Sequence, residues 1–280
     1  MPRQVAHVSG RRTLRTHRRR GIKGVQRDRA CKMNPAKMVR AALSFLTSVP
    51  LPGGPTTIED VAQATPIFPI IGYLTGGVSG VILYLSLRVF NPFLSSTLAI
   101  AALLLVTGAN ELDGFVDFAD GAMCVGSYQR RLEAMRDPHL GVGGMAAGLL
   151  AFSVQLFSWA QLSRAPFTAT LVYEVFGKLA MVYLSVLGSS VTPSSAEPVT
   201  KHMHTRRGAV LAVASTLLCV PMVLLVGLTP TLSLIVLDLV CATFLMVVSK
   251  RLIGGLSGDV FGAANIIAGS ACTLLIVRLH

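Results

Sequence analysis

Seven stretches of the chain are apolar for long enough to cross a lipid bilayer, at about 66–88, 94–110, 141–162, 167–188, 208–228, 231–249 and 261–278. A hydrocarbon core of ~30 Å takes about 20 residues of helix. In that medium the backbone must satisfy its own hydrogen bonds, and runs of this length do so as helices. The expected fold is all-α: a polytopic membrane helix bundle with about seven transmembrane helices. Composition agrees, since 52% hydrophobic and 14% charged residues among 280 cannot clothe a water-facing globule. The second run is short and ends on acidic residues. The fifth and sixth are divided only by Leu228-Thr229-Pro230, which reads as a tight turn. Residues 34–52 read as an amphipathic or re-entrant entry segment.

Loop charges orient the bundle. Connecting loops on one side hold ten bases, among them Arg130, Arg136, Lys250 and Arg251, whereas the other side holds Arg88, Arg164 and Arg278. The positive-inside rule places the ten-base side in the cytoplasm. The N-terminus is then inside and the C-terminus outside, and loops 111–140, 189–207 and 250–260 share the cytoplasmic face. A multi-pass protein of the cell membrane with its active site facing the cytoplasm is expected.

Net charge is +12, but residues 1–32 carry eleven bases and one acid, Asp28, so 33–280 hold only +2. That distribution excludes a body-wide nucleic-acid surface, and no specific nucleic-acid partner is expected. The basic segment 1–32 is expected to be disordered, and it lacks the apolar core of a secretory signal. Three readings are open: it holds anionic lipid, it binds nucleic acid without specificity, or it precedes a true start at Met33. The change of composition at Met33 favours the last. Residues 33–280 form the integral membrane domain. Five cysteines (Cys31, Cys124, Cys219, Cys241, Cys272), odd in number and without a C-x-x-C, read as small buried hydrophobes.

The costliest stretch for a membrane protein is Glu111-Leu-Asp-Gly-Phe-Val-Asp-Phe-Ala-Asp-Gly121, four carboxylates without a base. At about 100° per residue, a helix brings Asp113, Asp117 and Asp120 within one arc of about 60° and turns Glu111 to the opposite side. Carboxylates bunched in this way repel unless a cation sits between them. Oxygen ligands of this kind suit Mg²⁺, which takes one or two carboxylates with water and substrate phosphate. Gly114 and Gly121 leave a stripe that another helix or a phosphate can approach. The bland alternative is a polar helix end in water, against which Phe115, Val116 and Phe118 argue for partial burial.

Arg130, Arg131, Glu133, Arg136 and Asp137 follow on a short helix predicted to end at Pro138. Arginine pairs bidentately with phosphate, but a positive-inside anchor with a Glu133–Arg136 helical pair weighs more on these residues alone. Gly254-Gly255-Leu256-Ser257-Gly258-Asp259 enters the last span on the same predicted face, and glycine-rich backbone before a helix presents N–H groups to phosphate. Glu174 and Lys178 sit at i, i+4 inside the fourth span, where a charge costs about 2.5–3.5 kcal/mol to insert. A mutual ion pair and a phosphate contact from Lys178 weigh equally. His202 and His204 read as solvated.

The sequence resembles the cobalamin synthase family (adenosylcobinamide-GDP ribazoletransferase). The resemblance rests on Phe45-Leu-Thr-Ser-Val-Pro-Leu-Pro52, Phe68-Pro-Ile-Ile-Gly72, Leu112-Asp-Gly-Phe-Val-Asp-Phe-Ala-Asp-Gly121, Arg131-Leu-Glu-Ala-Met-Arg-Asp137, and Gly254–Asp259 with Gly262-Ala-Ala264. It implies an integral membrane enzyme joining α-ribazole, or its 5′-phosphate, to adenosylcobinamide-GDP with release of GMP and a requirement for Mg²⁺. On that basis Asp113, Asp117 and Asp120 are expected to hold the metal, and Asp259 to add a ligand or orient the attacking hydroxyl. Arg131, Arg136 and Lys178 would neutralise phosphate, and Gly254, Gly255 and Gly258 would line the substrate. Membrane lipid is an expected partner, and a homo-oligomer is compatible. Five positions depart from the family pattern: Ser48 and Lys178 stand where arginine is usual, Glu111 where histidine is, Pro138-His139 where Ser-Arg is, and Asn265-Ile-Ile267 where an acid is expected. A CDP-alcohol phosphotransferase is disfavoured, because Asp117-Phe118 stands where that pattern wants Ala-Arg. A cation transporter leaves the glycine-rich loop and the arginines without a task.

Overall fold

The computed structural model describes residues 34–191 and 194–279. The basic segment 1–32, the readings attached to it and Met33 lie outside the described residues. Within them the chain is helical: α1 (Pro35–Leu46), α2 (Ile58–Ala64), α3 (Phe68–Ser86), α4 (Pro92–Thr107), α5 (Asn110–Met123), α6 (Tyr128–Ala134), α7 (Val142–Gln161), α8 (Pro166–Leu187), α9 (Glu197–Met203), α10 (Arg206–Leu217), α11 (Val223–Val226), α12 (Leu228–Ile253) and α13 (Gly258–Leu279). Six helical segments are long and apolar enough to span a membrane, and a seventh is obtained if the bent pair α4 and α5 counts as one. They coincide with the seven apolar runs of the sequence. α2 and α3 run together as Ile58–Ser86, and α10 and α11 as Arg206–Val226. The break between the fifth and sixth spans falls at Gly227 (φ +87°), one residue before the expected turn. Leu228-Thr229-Pro230 instead starts α12, where a proline in the first turn forgoes no helical hydrogen bond.

α8 is the central pillar, packed against α3, α12 and α13 and buried from Thr168 to Ser185 on nearly every face. Small residues allow the close approach. A methyl placed on Gly72 would lie 2.6 Å from the Glu174 carbonyl oxygen, and one on Gly269 2.6 Å from that of Tyr173. In lipid, where the helices gain no hydrophobic advantage from meeting, such backbone contact is a main source of packing energy. Trp159 and Tyr173 close the α7–α8 seam edge to face, 5.8 Å between centroids. The entry segment forms α1, capped by Asn34, and its Lys37 pairs with Asp60 of α2 at 2.7 Å.

Candidate active site

The acidic stretch does not continue the second span. α4 stops at Gly108 (φ +66°), Ala109 follows at φ +59°, and α5 leaves at 92° to α4. With 16 residues, α4 is only about 24 Å long, shorter than the ~30 Å hydrocarbon core. Ala109 is the one described non-glycine residue at positive φ, a conformation that costs a Cβ-bearing residue about 1 kcal/mol or more. Ser48 braces the bend: its hydroxyl donates to the Leu105 carbonyl at 2.6 Å and its backbone N–H to that of Val106 at 2.8 Å. Carbonyls at the end of α4 are thereby satisfied.

Within α5 the expected faces hold. Asp113 is exposed, Asp117 and Asp120 are half-buried, and Glu111 on the opposite side is buried. Gly114 is a point of helix contact: a methyl there would sit 3.0 Å from the Cα of Asp259. This crossing of α5 and α13 places Asp117 within electrostatic reach of Asp113, Asp259 and Asp120. Asp120 is already engaged. It accepts hydrogen bonds from the backbone N–H groups of Gly141 (2.9 Å) and Gly144 (2.7 Å), and so caps the N-terminus of α7, where a carboxylate also complements the helix dipole.

Lys178 lies away from the open face, fully buried. Its Nζ donates to Glu111 Oε1 at 2.9 Å and to Asn265 Oδ1 at 3.1 Å, and stands 3.3 Å from Glu174 Oε2. Thr75 of α3 donates to the same Glu174 oxygen. The intrahelical pair weighed in the sequence therefore exists as part of a larger cluster joining α3, α5, α8 and α13. No ammonium hydrogen is left for a substrate phosphate in this arrangement, because the three partners match its three donors. Glu111 and Asn265 both meet the Lys178 ammonium, and all three are positions that depart from the family pattern.

The two arginines separate in role. Arg131 donates to the carbonyls of Gly121 (3.0 Å) and Ala122 (2.7 Å), closing the C-terminus of α5 as cations there commonly do. α6 ends at Ala134, earlier than expected, and no Glu133–Arg136 ion pair is found among the described residues. Arg136 is exposed, and its charge acts on Asp259. Beyond it, the backbone N–H and ring of His139 hold the Asp137 carboxyl below the usual carboxylate range. The glycines of 254–258 divide as well. Gly254 (φ +86°) ends α12, and Gly255 packs against the backbone of Ser189–Val191. There a parallel bridge pairs Ser190 with Leu256. Gly258 opens α13 beside a cavity of about 210 Å³ whose walls include Arg136, Ser194, Ser195, Ser257 and Asp259. The three loops assigned to one face by charge counting thus meet at one end of the bundle. Ser194 and Ser195 were missed by sequence reading, and their signal was only membership of the 189–207 loop.

Among the described residues, no three His, Cys, Asp or Glu side chains converge closely enough to hold a metal ion. The expected three-aspartate set is not assembled, because the Asp120 oxygens are turned to α7. Asp113 and Asp117 remain, with no ion-pair partner among the described residues. Two carboxylates fit the protein share of an Mg²⁺ shell.

A protein described as adenosylcobinamide-GDP ribazoletransferase from Deinococcus radiodurans is 32% identical over 234 residues, 83% of this chain and 82% of its own. Proteins of the same description from Halorubrum lacusprofundi (31% over 255 residues, 82% and 92% of the two chains) and Pyrococcus furiosus (29% over 235 residues, 84% and 96%) are similarly related. No solved structure matches. Residues 38–277 match the family described as cobalamin-5-phosphate synthase, a range that runs from within α1 to the last turn of α13, and the chain belongs to that family.

Proposed function

We propose that this protein joins α-ribazole, or its 5′-phosphate, to adenosylcobinamide-GDP in the cell membrane, with release of GMP on the cytoplasmic side. The observation that carries the reading is the meeting of Asp113, Asp117, Asp259 and Arg136 at one end of a bundle of this family. In the reaction a ribose hydroxyl oxygen of the nucleoside forms a bond to the cobinamide-linked phosphorus. The phosphorus–oxygen bond to GMP breaks, and GMP leaves with the electron pair. Transfer of this kind needs mainly positioning and charge neutralisation.

Asp259 sits where it can orient the hydroxyl and accept its proton. Arg136, exposed beside the same cavity, binds the diphosphate oxygens. Asp113 and Asp117 would hold Mg²⁺, which supplies charge neutralisation at the phosphates when bound. Arg131, Asp120 and Lys178 act as positioning residues: the first two fix the end of α5 against its neighbours, and Lys178 fixes its beginning. Gly255 draws the 254–258 loop onto the 189–191 segment, while Gly254 and Gly258 set where α12 ends and α13 begins.

The test is to supply protein in nanodiscs with adenosylcobinamide-GDP, α-ribazole and Mg²⁺, and to follow GMP and the corrinoid product by chromatography. Product from the wild type that disappears in Asp113→Asn, with insertion unchanged, is expected. A well-inserted wild type that yields no GMP with either form of ribazole would overturn the assignment.

A further inference from the structure

A second cavity, also of about 210 Å³, lies on the other side of Gly258, and the reaction described above gives it no task. Its walls are largely apolar, formed by Phe45 at the end of α1, Met181 of α8 and Phe261 of α13, with Ser44 of α1 and Asn110 and Glu111 of α5 as its polar members. Phe45 stacks on Phe68, with 5.9 Å between centroids and 21° between planes, yet it remains 37% exposed. Ring surface is therefore left for a further planar group. Glu111 turns one oxygen to Lys178, and the exposed Asn110 amide and Ser44 hydroxyl stand free to bond a ligand at the cavity wall.

We infer that this cavity binds the planar heteroaromatic base of the ribazole nucleoside, and that Phe45 and Asn110 determine its recognition. The inference rests on the transfer reaction proposed above. An aromatic wall stacks on a flat ring whatever its substituents. The side-chain N–H of Asn110 can donate to a base whose remaining ring nitrogen carries a lone pair and no hydrogen. Gly258 is a wall of both cavities, and Ser195 packs against the place where its side chain would stand. A nucleoside lying across it has its base beside Phe45 and its ribose hydroxyl beside Asp259, on the side where Arg136 waits for phosphate. Guanine, the other base among the substrates, is the competing occupant, and separate titration of adenosylcobinamide-GDP distinguishes it. A corrin macrocycle is too large for the space.

Isothermal titration of the full-length protein in nanodiscs tests this, with α-ribazole and adenosylcobinamide-GDP titrated separately. Phe45→Ala is expected to weaken α-ribazole about tenfold, the scale of one lost base–aromatic stack. Asn110→Ala should weaken it about fivefold, the scale of one hydrogen bond, and adenosylcobinamide-GDP should bind as before in both. Asn110 is exposed, so its replacement tests the pocket even if Phe45→Ala fails to fold. Unchanged α-ribazole binding in variants of an active protein overturns the pocket alone. Weakened adenosylcobinamide-GDP binding instead assigns the cavity to guanine and overturns the inference. A wild type that binds neither ligand removes the transfer reaction, and this pocket with it.

Discussion

Lys178 Nζ lies 2.9 Å from Glu111 Oε1, a contact between residues 67 apart in the chain that ties the middle of α8 to the first turn of α5. Glu174 and Asn265 complete the cluster. One buried cation serves two carboxylates here, so removing it leaves both uncompensated. Lys178→Met is expected to destabilise the protein by ~3–5 kcal/mol, the range for a broken buried pair, read as a large fall in Tm in detergent. A higher KM for adenosylcobinamide-GDP at unchanged Tm would instead make Lys178 a phosphate ligand.

The aspartates of α5 should separate by assay. Asp113→Asn and Asp117→Asn are expected to lower kcat by about 100-fold or more through lost charge neutralisation at the phosphates, at nearly unchanged Tm. EDTA should stop turnover of the wild type, and added Mg²⁺ should restore it. Asp120→Ala is expected to lose about 1–2 kcal/mol of stability with the cap of α7, with a smaller effect on kcat than either of the others. Equal kcat losses at all three positions, with no change in stability at Asp120, would return Asp120 to the metal.

Contact between α5 and α13 at Gly114 is too tight for a branched side chain, since the Cα of Asp259 is already 3.0 Å from where a methyl would sit. Gly114→Val should push the two helices apart and move Asp259 relative to Asp113 and Asp117. A displacement of about 1 Å costs on the order of 100-fold in rate. Steady-state kinetics on membranes with matched protein levels would reveal it, and a variant of wild-type kcat would show that the crossing does not set the catalytic geometry.

Asp238 of α12 is fully buried, and neither carboxyl oxygen has a hydrogen-bond partner among the described residues. Removing a buried polar group that makes no bond removes its desolvation cost, about 1–3 kcal/mol. Asp238→Leu is therefore expected to raise Tm at unchanged turnover. A lower Tm would mean that the carboxyl is satisfied in the membrane by a partner such as water.

The sequence by itself determined the bundle. A run of about 20 apolar residues has one low-cost conformation in lipid, so the spans were readable without reference to what they pack against. The arc of Asp113, Asp117 and Asp120 was readable for a similar reason: side-chain direction within a helix follows from its period alone. Tertiary structure decided what each of those groups does. Whether Asp120 faces a metal or the start of α7 depends on where Gly141 and Gly144 come to rest, 21 and 24 residues later. Lys178 could be paired in advance with Glu174 one turn away, but not with Glu111 or Asn265, because their meeting requires α5 to turn by 92° at Gly108-Ala109. Local periodicity carries no information about such a turn. It is set by the packing of α5 against α7 and α13, and that packing separates the carboxylates left without a partner, Asp113 and Asp117, from those that hold the bundle together.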